Sequence, residues 1–280
     1  MITDITIGQF YPTDSFVHKL DPRLKLLGLI AYIVFIFLTA SFSSLIFLTA
    51  VTLILMFLTK VPLKVYLKNI KSIWFIIALT AVLNIFYAEG GAQLIDWWIF
   101  DIRWLGVRKA IFMALRIISL ILMSAMLTYT TTPTQLTDAI EKLLSPLKFI
   151  GLGNAVHVIA MMMTIALRFI PTLIDETNKL MNAQKARGAD FENGGLVKKV
   201  KALIPILIPL LISSVRRAFE LSEAMESRCY TGSHKRTRLK QLKFSYRDFV
   251  SLIALTLVFV AVLLLNSFPI HSILTFLPKL

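Results

Sequence analysis

A chain of 280 residues that is 57% hydrophobic exceeds the roughly 45–50% apolar content of soluble domains, and its apolar residues come in runs broken by charged loops, the pattern of membrane spans. Only helices and closed barrels cross hydrocarbon, because every backbone polar group must be satisfied internally; continuous Leu-rich runs, unlike alternating ~10-residue strands, select helices. The net charge of +14 does not call for nucleic acid, since Lys and Arg collect in particular loops as the positive-inside rule predicts, and the one cysteine, Cys229, excludes a disulfide framework or a thiolate metal cluster.

In chain order, some twenty polar and mixed residues with Asp4, Asp14 and Asp21 come first, which is not the pattern of a cleavable signal. Lys19, Arg23 and Lys25 flank a first span at 24–40, and an uncharged link leads to a second at 45–59. A loop with Lys60, Lys64, Lys68 and Lys71 and no acid precedes a third span at 73–88. The loop 89–109 mixes Glu89, Asp96 and Asp101 with Arg103, Arg108 and Lys109, and its Trp97, Trp98 and Trp104 suit the headgroup interface. A fourth span covers 110–129, and a fifth, at 249–268, carries no charge. The first three spans contain one amide, Asn84, so the first four are expected to present a lipid-like face with few specific polar contacts.

Residues 130–248 differ, holding 18 of the 30 basic and 10 of the 16 acidic side chains. With the N-terminus and the Lys60–Lys71 loop on the same side, the positive charge places this segment in the cytoplasm and the C-terminus outside. The expected architecture is an all-α integral membrane protein with five transmembrane helices: a membrane domain at 1–129, a basic cytoplasmic domain of long helices at 130–248, and a last span and tail at 249–280. The apolar stretches 155–170 and 202–215 are short for spans, which need about 20 residues, and read as partly embedded helices. Their crossing as a pair would make seven spans and leave the flanking orientations unchanged.

Within the basic segment, Pro133 opens an amphipathic helix that Pro146 breaks. A long helix runs from Ala155 to Arg187, with Gly188 as its natural C-terminal cap; a second follows Gly194-Gly195 and runs to Arg228, bent by Pro205 and Pro209. The two end alike, in Ala183-Gln184-Lys185-Ala186-Arg187-Gly188 and Ala224-Met225-Glu226-Ser227-Arg228-Cys229, offset by 41 residues, each with a leucine three residues earlier (Leu180, Leu221). Positions i and i+3 share a helix face, so each ending offers a low strip of small residues behind an arginine whose planar fork suits a carboxylate. An arginine in a last helical turn is also favoured by about 0.3–1 kcal/mol through the helix dipole alone. The repetition favours a pair of plugs for a partner with two similar sockets.

These residues resemble the T component (EcfT, CbiQ-like) of energy-coupling factor (ECF) transporters, a class of bacterial ABC importers. Ala186-Arg187-Gly188 matches the family's first Ala-Arg-Gly motif, and Ser227-Arg228-Cys229 stands at its second, with Ser for Ala and Cys for Gly. The run His18-Lys19-Leu20-Asp21-Pro22-Arg23-Leu24-Lys25 is similar to the family's entry into its first span. The resemblance covers essentially the whole chain. It implies a subunit that bridges two ATP-binding ABC subunits and one membrane-embedded substrate-binding S component. The arginine-tipped coupling helices would sit in grooves of the ATPases, with Ala183 and Ala224 on their supporting small faces, and turn ATP-driven closure into inward release of a vitamin or metal ion. Cys229 in place of glycine leaves open whether the second helix caps there or at Gly232.

No G-x-x-x-x-G-K-[ST] loop is present, so ATP would be bound by partner subunits, with no cofactor or catalytic residue on this chain. No H-E-x-x-H or His/Cys/carboxylate cluster supplies metal ligands, and His157 reads as a packed or interfacial side chain. A stand-alone secondary transporter or channel is the alternative, resting on Arg116 inside the fourth span; that side chain is otherwise expected to snorkel outward or to pair with Glu89. An intramembrane enzyme would rest on Asp96 and Asp101, in a loop that reads as a short strand or hairpin. Lys198, Lys199, Lys201 and the run 234–240 suit anionic lipid.

Overall fold

In the computed structural model the described residues are 10–87, 93–97, 100–151, 153–189, 191, 195–230 and 244–267. They form helices α1 (Pro22–Leu38), α2 (Phe42–Leu58), α3 (Leu63–Tyr87), α4 (Trp104–Thr130), α5 (Pro133–Leu143), α6 (Gly153–Ala186), α7 (Leu196–Glu226) and α8 (Tyr246–Ser267). A two-stranded antiparallel hairpin, β1 (Gln93–Trp97) and β2 (Phe100–Arg103), joins α3 to α4 and sets Asp96 opposite Asp101 in register. Five of these helices, α3, α4, α6, α7 and α8, are long and apolar enough to cross a membrane. The number equals the five expected spans, but the membership differs. The 155–170 and 202–215 stretches belong to helices of 34 and 31 residues, whereas α1 and α2 have 17 residues each, about 26 Å at 1.5 Å per residue and the lower limit for a span.

The chain divides into two compact units, one containing 8–132 and 242–280, the other 133–241. The core of the first is built by α1, α2, α4 and α8: Tyr32, Phe35, Ile36, Leu45, Leu48, Met123, Met126 and Val262 are buried together. Several of its hydroxyls point inward and pair between helices, more than the expectation of few specific polar contacts in these spans. The hydroxyls of Tyr32 and Thr52 share a 2.6 Å hydrogen bond, Thr49 meets Ser119 at 3.0 Å, and Thr59 meets Tyr66 at 3.0 Å. Hydrocarbon gives no hydrophobic drive between helices, so packing and such bonds hold the bundle. Hydroxyls escape a residue-by-residue search for charge because threonine and serine also satisfy themselves on the preceding turn, as Thr52 does on the Leu48 carbonyl. Gly106 is required where α3 meets α4: a Cβ there would lie 2.7 Å from the Ile85 carbonyl oxygen.

Helices α1 and α8 run parallel, because they are tied at both ends. At their starts the Asp21 N–H donates to Asp248 Oδ1 at 2.9 Å. At their finishes Asn266 donates to the Leu38 carbonyl (3.3 Å) and accepts from the Ala40 N–H (3.1 Å). A parallel first and last helix requires an odd number of crossings between them: α2, α3 and α4 return the chain to the starting side of α1, and α6 and α7 then cross together or not at all. Glu89, the expected partner of Arg116, lies outside the described residues. The Arg116 guanidinium donates to the Thr39 carbonyl at 2.9 Å and lies 4.7 Å from the Phe112 ring centroid. Thr39 is the C-cap of α1, where an exposed carbonyl and the negative end of the helix dipole both favour a cation. The arginine is a helix cap within the bundle.

In the second unit, α5 is followed by a 3-10 turn at Ser145–Ile150 and by Gly151, whose φ of 83° starts the path into α6. The His157 ring Nδ1 lies 3.2 Å from Glu141 Oε1, tying α6 to α5.

Candidate functional site

The site is a pair of helix endings. On α6 the Ala189 N–H donates to the Gln184 carbonyl (3.0 Å), the Gly188 N–H donates to the Lys185 carbonyl (3.0 Å), and Gly188 has φ = 87°. This nested pair of bonds around one left-handed residue is a Schellman cap, which satisfies carbonyls that the helix leaves open. On α7 the Tyr230 N–H donates to the Met225 carbonyl (3.0 Å), the Cys229 N–H donates to the Glu226 carbonyl (2.8 Å), and Cys229 has φ = 55°. Every participant is displaced by 41 residues, so the two endings are one motif built twice. Cys229 therefore caps α7 in the left-handed conformation that glycine takes on α6, and no later residue is needed for the turn. Gly232 lies outside the described residues.

Left-handed backbone costs an L-residue roughly 1–2 kcal/mol, a cost that glycine avoids. The second ending keeps its shape with a residue that resists it, and such outliers persist only where their surroundings over-determine them. Here the over-determination is local: the two cap bonds and a third from the Ser227 hydroxyl to the Ala224 carbonyl at 3.0 Å.

The predicted site residues are all accessible. Ala183, Ala186, Arg187 and Gly188 are exposed on the first ending, and Ala224, Ser227, Arg228 and Cys229 on the second. Each arginine is the last residue before its left-handed cap, so its guanidinium stands on the closing turn. Leu180 and Leu221 are half-buried, and Leu221 lines a groove of about 550 Å³ between α6 and α7 together with Phe169, Leu173, Met225 and Tyr230. Each ending thus has an inward apolar side and an outward strip of small residues.

A contact that sequence reading missed joins the two helices. Arg217 donates to Glu176 Oε2 at 2.7 Å, and these residues are again 41 apart. Each tip arginine follows its member of the ion pair by 11 residues, about 16 Å of helix. The α6–α7 contact is therefore equidistant, along each helix, from Arg187 and Arg228. The signal lay in the sequence: extending the 41-residue offset backward from the tips pairs an acid with a base.

Helices α6 and α7 stay continuous through Pro171, Pro205 and Pro209, although each proline removes an intrahelical donor. Their apolar halves are largely uncovered within the unit, with Ile159, Met162 and Met163 exposed on α6 and Leu207, Leu211 and Ile212 on α7.

Comparison with known proteins supplies the context for this geometry. The family model for cobalt transport proteins (CbiQ) matches residues 13–239. A relative from Clostridium kluyveri, an energy-coupling factor transporter transmembrane protein EcfT, is 54% identical over 94% of this chain and 97% of its own length. Proteins of the same name from Ruminiclostridium cellulolyticum and Brevibacillus brevis are each 48% identical, covering 96% and 93% of this chain and 99% and 98% of their own lengths.

Proposed function

Because the chain belongs to the EcfT/CbiQ family of energy-coupling factor transporter transmembrane proteins, and is thus a multi-pass component of the bacterial cytoplasmic membrane, we propose that its two capped tips couple a pair of ATP-binding subunits to substrate movement. Arg187 and Arg228 each enter a groove of one ATPase and meet a carboxylate there. Ala183, Ala186, Ala224 and Ser227 allow close approach, and Gly188 and Cys229 hold the turns that aim the guanidinium groups. The observation that carries this reading is the duplication of a whole local geometry, including the costly left-handed Cys229, at two exposed helix ends. A dipole contribution to either helix would need the arginine but not the shared cap.

The reading fixes a topology. Helix α6 begins on the side to which α4 returns the chain, so a full crossing by α6 would put Arg187 and Arg228 on opposite faces of the membrane. Two tips serving ATPases on one side require α6 and α7 to lie along or partly within the cytoplasmic leaflet, with their exposed apolar halves toward lipid or a membrane partner.

Nucleotide is bound by the ATPases, and this chain holds no cofactor and catalyses no step. The membrane partner is one S component, received on outward apolar side chains such as Trp74, Phe75 and Phe86 of α3, all exposed; substrate choice resides in that subunit, with a vitamin favoured over a metal ion. The test is co-purification of the ATPases with the Arg187→Glu/Arg228→Glu double variant from membranes. Loss of the ATPases with the protein still inserted supports the coupling role. Normal amounts with intact uptake reject it.

A further inference from the structure

The turn that opens α1 gathers interactions from well-separated parts of the chain, all within the 8–132 and 242–280 unit. The chain leaves that unit after Thr132 and re-enters it at Leu242, and the α1 turn touches residues beside both joints. At the exit, Lys25 Nζ donates to the Thr130 carbonyl at 2.9 Å, which caps the C-terminal end of α4 two residues before the chain departs. The same ammonium donates to the His18 carbonyl at 3.2 Å. At the return, the Arg23 guanidinium lies 5.6 Å from the Phe244 ring centroid. The Asp248 carboxylate joins two helix starts: Oδ1 accepts from the Asp21 N–H (2.9 Å) and Oδ2 from the Ser245 N–H (2.7 Å). Asp21 is the N-cap of α1 and Ser245 immediately precedes α8, so one anion is held by two helix N-termini, where dipole and open N–H groups both favour it.

Asp21, Lys25 and Asp248 are only 6%, 9% and 2% exposed. Charges this deep persist only when paired and hydrogen-bonded, and the geometry is correspondingly specific. The hydrogen bonds converge on one helical turn, from Asp21 to Lys25, and this turn is in contact with residues beside both joints.

We propose that this turn is the anchor through which motion of the 133–241 segment is passed to the membrane helices, with Lys25, Asp248 and Arg23 as positioning residues for transport. The proposal rests on the coupling role argued above. Without fixed joints, movement at the exit of α4 and the entry of α8 would dissipate in local bending. With them, it displaces α1, α4 and α8 together.

The test uses the complete complex, purified with its ATPases and S component and reconstituted in vesicles, and reads substrate moved per ATP hydrolysed. Lys25→Met keeps the side-chain length but removes the donors to Thr130 and His18. It is expected to retain its ATPases and their hydrolysis, while the ratio falls about tenfold; Lys25→Arg, which keeps the donors, restores part of it. Phe244→Leu alters a 60% exposed side chain that folding can spare and is expected to lower the ratio by about twofold, so it decides the matter alone should Lys25→Met fail to accumulate. Ile36→Ala, in the core away from the joints, serves as the stability control and should lower hydrolysis and uptake together. A ratio unchanged in Phe244→Leu, and in Lys25→Met where it accumulates, overturns the anchor. Loss of the ATPases from unaltered protein would instead overturn the coupling role, so the two failures are distinguishable.

Discussion

The endings of α6 and α7 share one hydrogen-bond pattern and differ in the residue that makes it possible. Gly188 adopts its φ of 87° without a Cβ, whereas Cys229 holds 55° with one. Both leave an arginine on the closing turn and small residues behind it. The comparison teaches that the capped shape is what the two ends have in common, while composition is free to drift where bonds such as Ser227 to Ala224 hold the turn. Under the proposed coupling role it also separates two functions within one motif: the arginine would contact the partner, and the following residue would aim it.

The comparison is tested most severely by reversing the charge at both tips. Arg187→Glu and Arg228→Glu should each lower uptake by about tenfold or more, since breaking an interfacial charge pair costs about 2–5 kcal/mol. The double variant should abolish uptake; small, purely additive losses would mean that the tips act separately or not at all. Gly188→Val should come next, because a β-branched residue forced into left-handed backbone costs about 2 kcal/mol. Crosslinking from position 187 to the ATPase would then fall while crosslinking from 228 stays, unless the first cap has no aiming role.

Between the tips, Glu176→Arg faces Arg217 with a like charge. For this partly exposed pair we expect a loss of about 1 kcal/mol, read as weakened ATPase retention and repaired by the swap Glu176→Arg/Arg217→Glu. Failure of the swap would show that the pair does not set the spacing of the tips. Cys229→Gly is the mildest change. It removes the left-handed penalty but adds glycine's chain entropy, roughly 0.5–1 kcal/mol, so thermal stability should rise by at most about 1.5 kcal/mol with uptake unchanged. A large fall in uptake would mean that the thiol side chain itself contacts a partner.

At the acidic end of the pH range a further difference between regions is expected. His18 lies before α1, and burial holds its pKa below the ordinary 6.5. A lowered folded value means that the unfolded state binds the proton more readily, so the packing of 11–18 is fully present above about pH 6.5 and weakens as pH falls below it. Limited proteolysis between pH 7.5 and 5.5 would show this, and His18→Gln should remove the dependence.

Membrane insertion, the helical class and the two long helices of the basic segment were legible in the sequence because hydrophobic runs, prolines and glycines act locally. The matched endings were legible for the same reason: a Schellman cap is a six-residue event, and two copies 41 residues apart are visible in one dimension. What residue-by-residue reading could not supply was pairing between distant parts. Arg116 finds the end of α1 at Thr39, Asn266 binds Leu38 and Ala40, and Asp248 bridges to Asp21 across 227 residues. The hydroxyl contacts inside the bundle, such as Tyr32 with Thr52, belong to the same class. Local propensity and hydropathy decide whether a segment is a helix and whether it suits lipid. Which buried polar group satisfies which is decided only when the helices meet, because in a low-dielectric interior each such group must find a partner wherever the packing brings one.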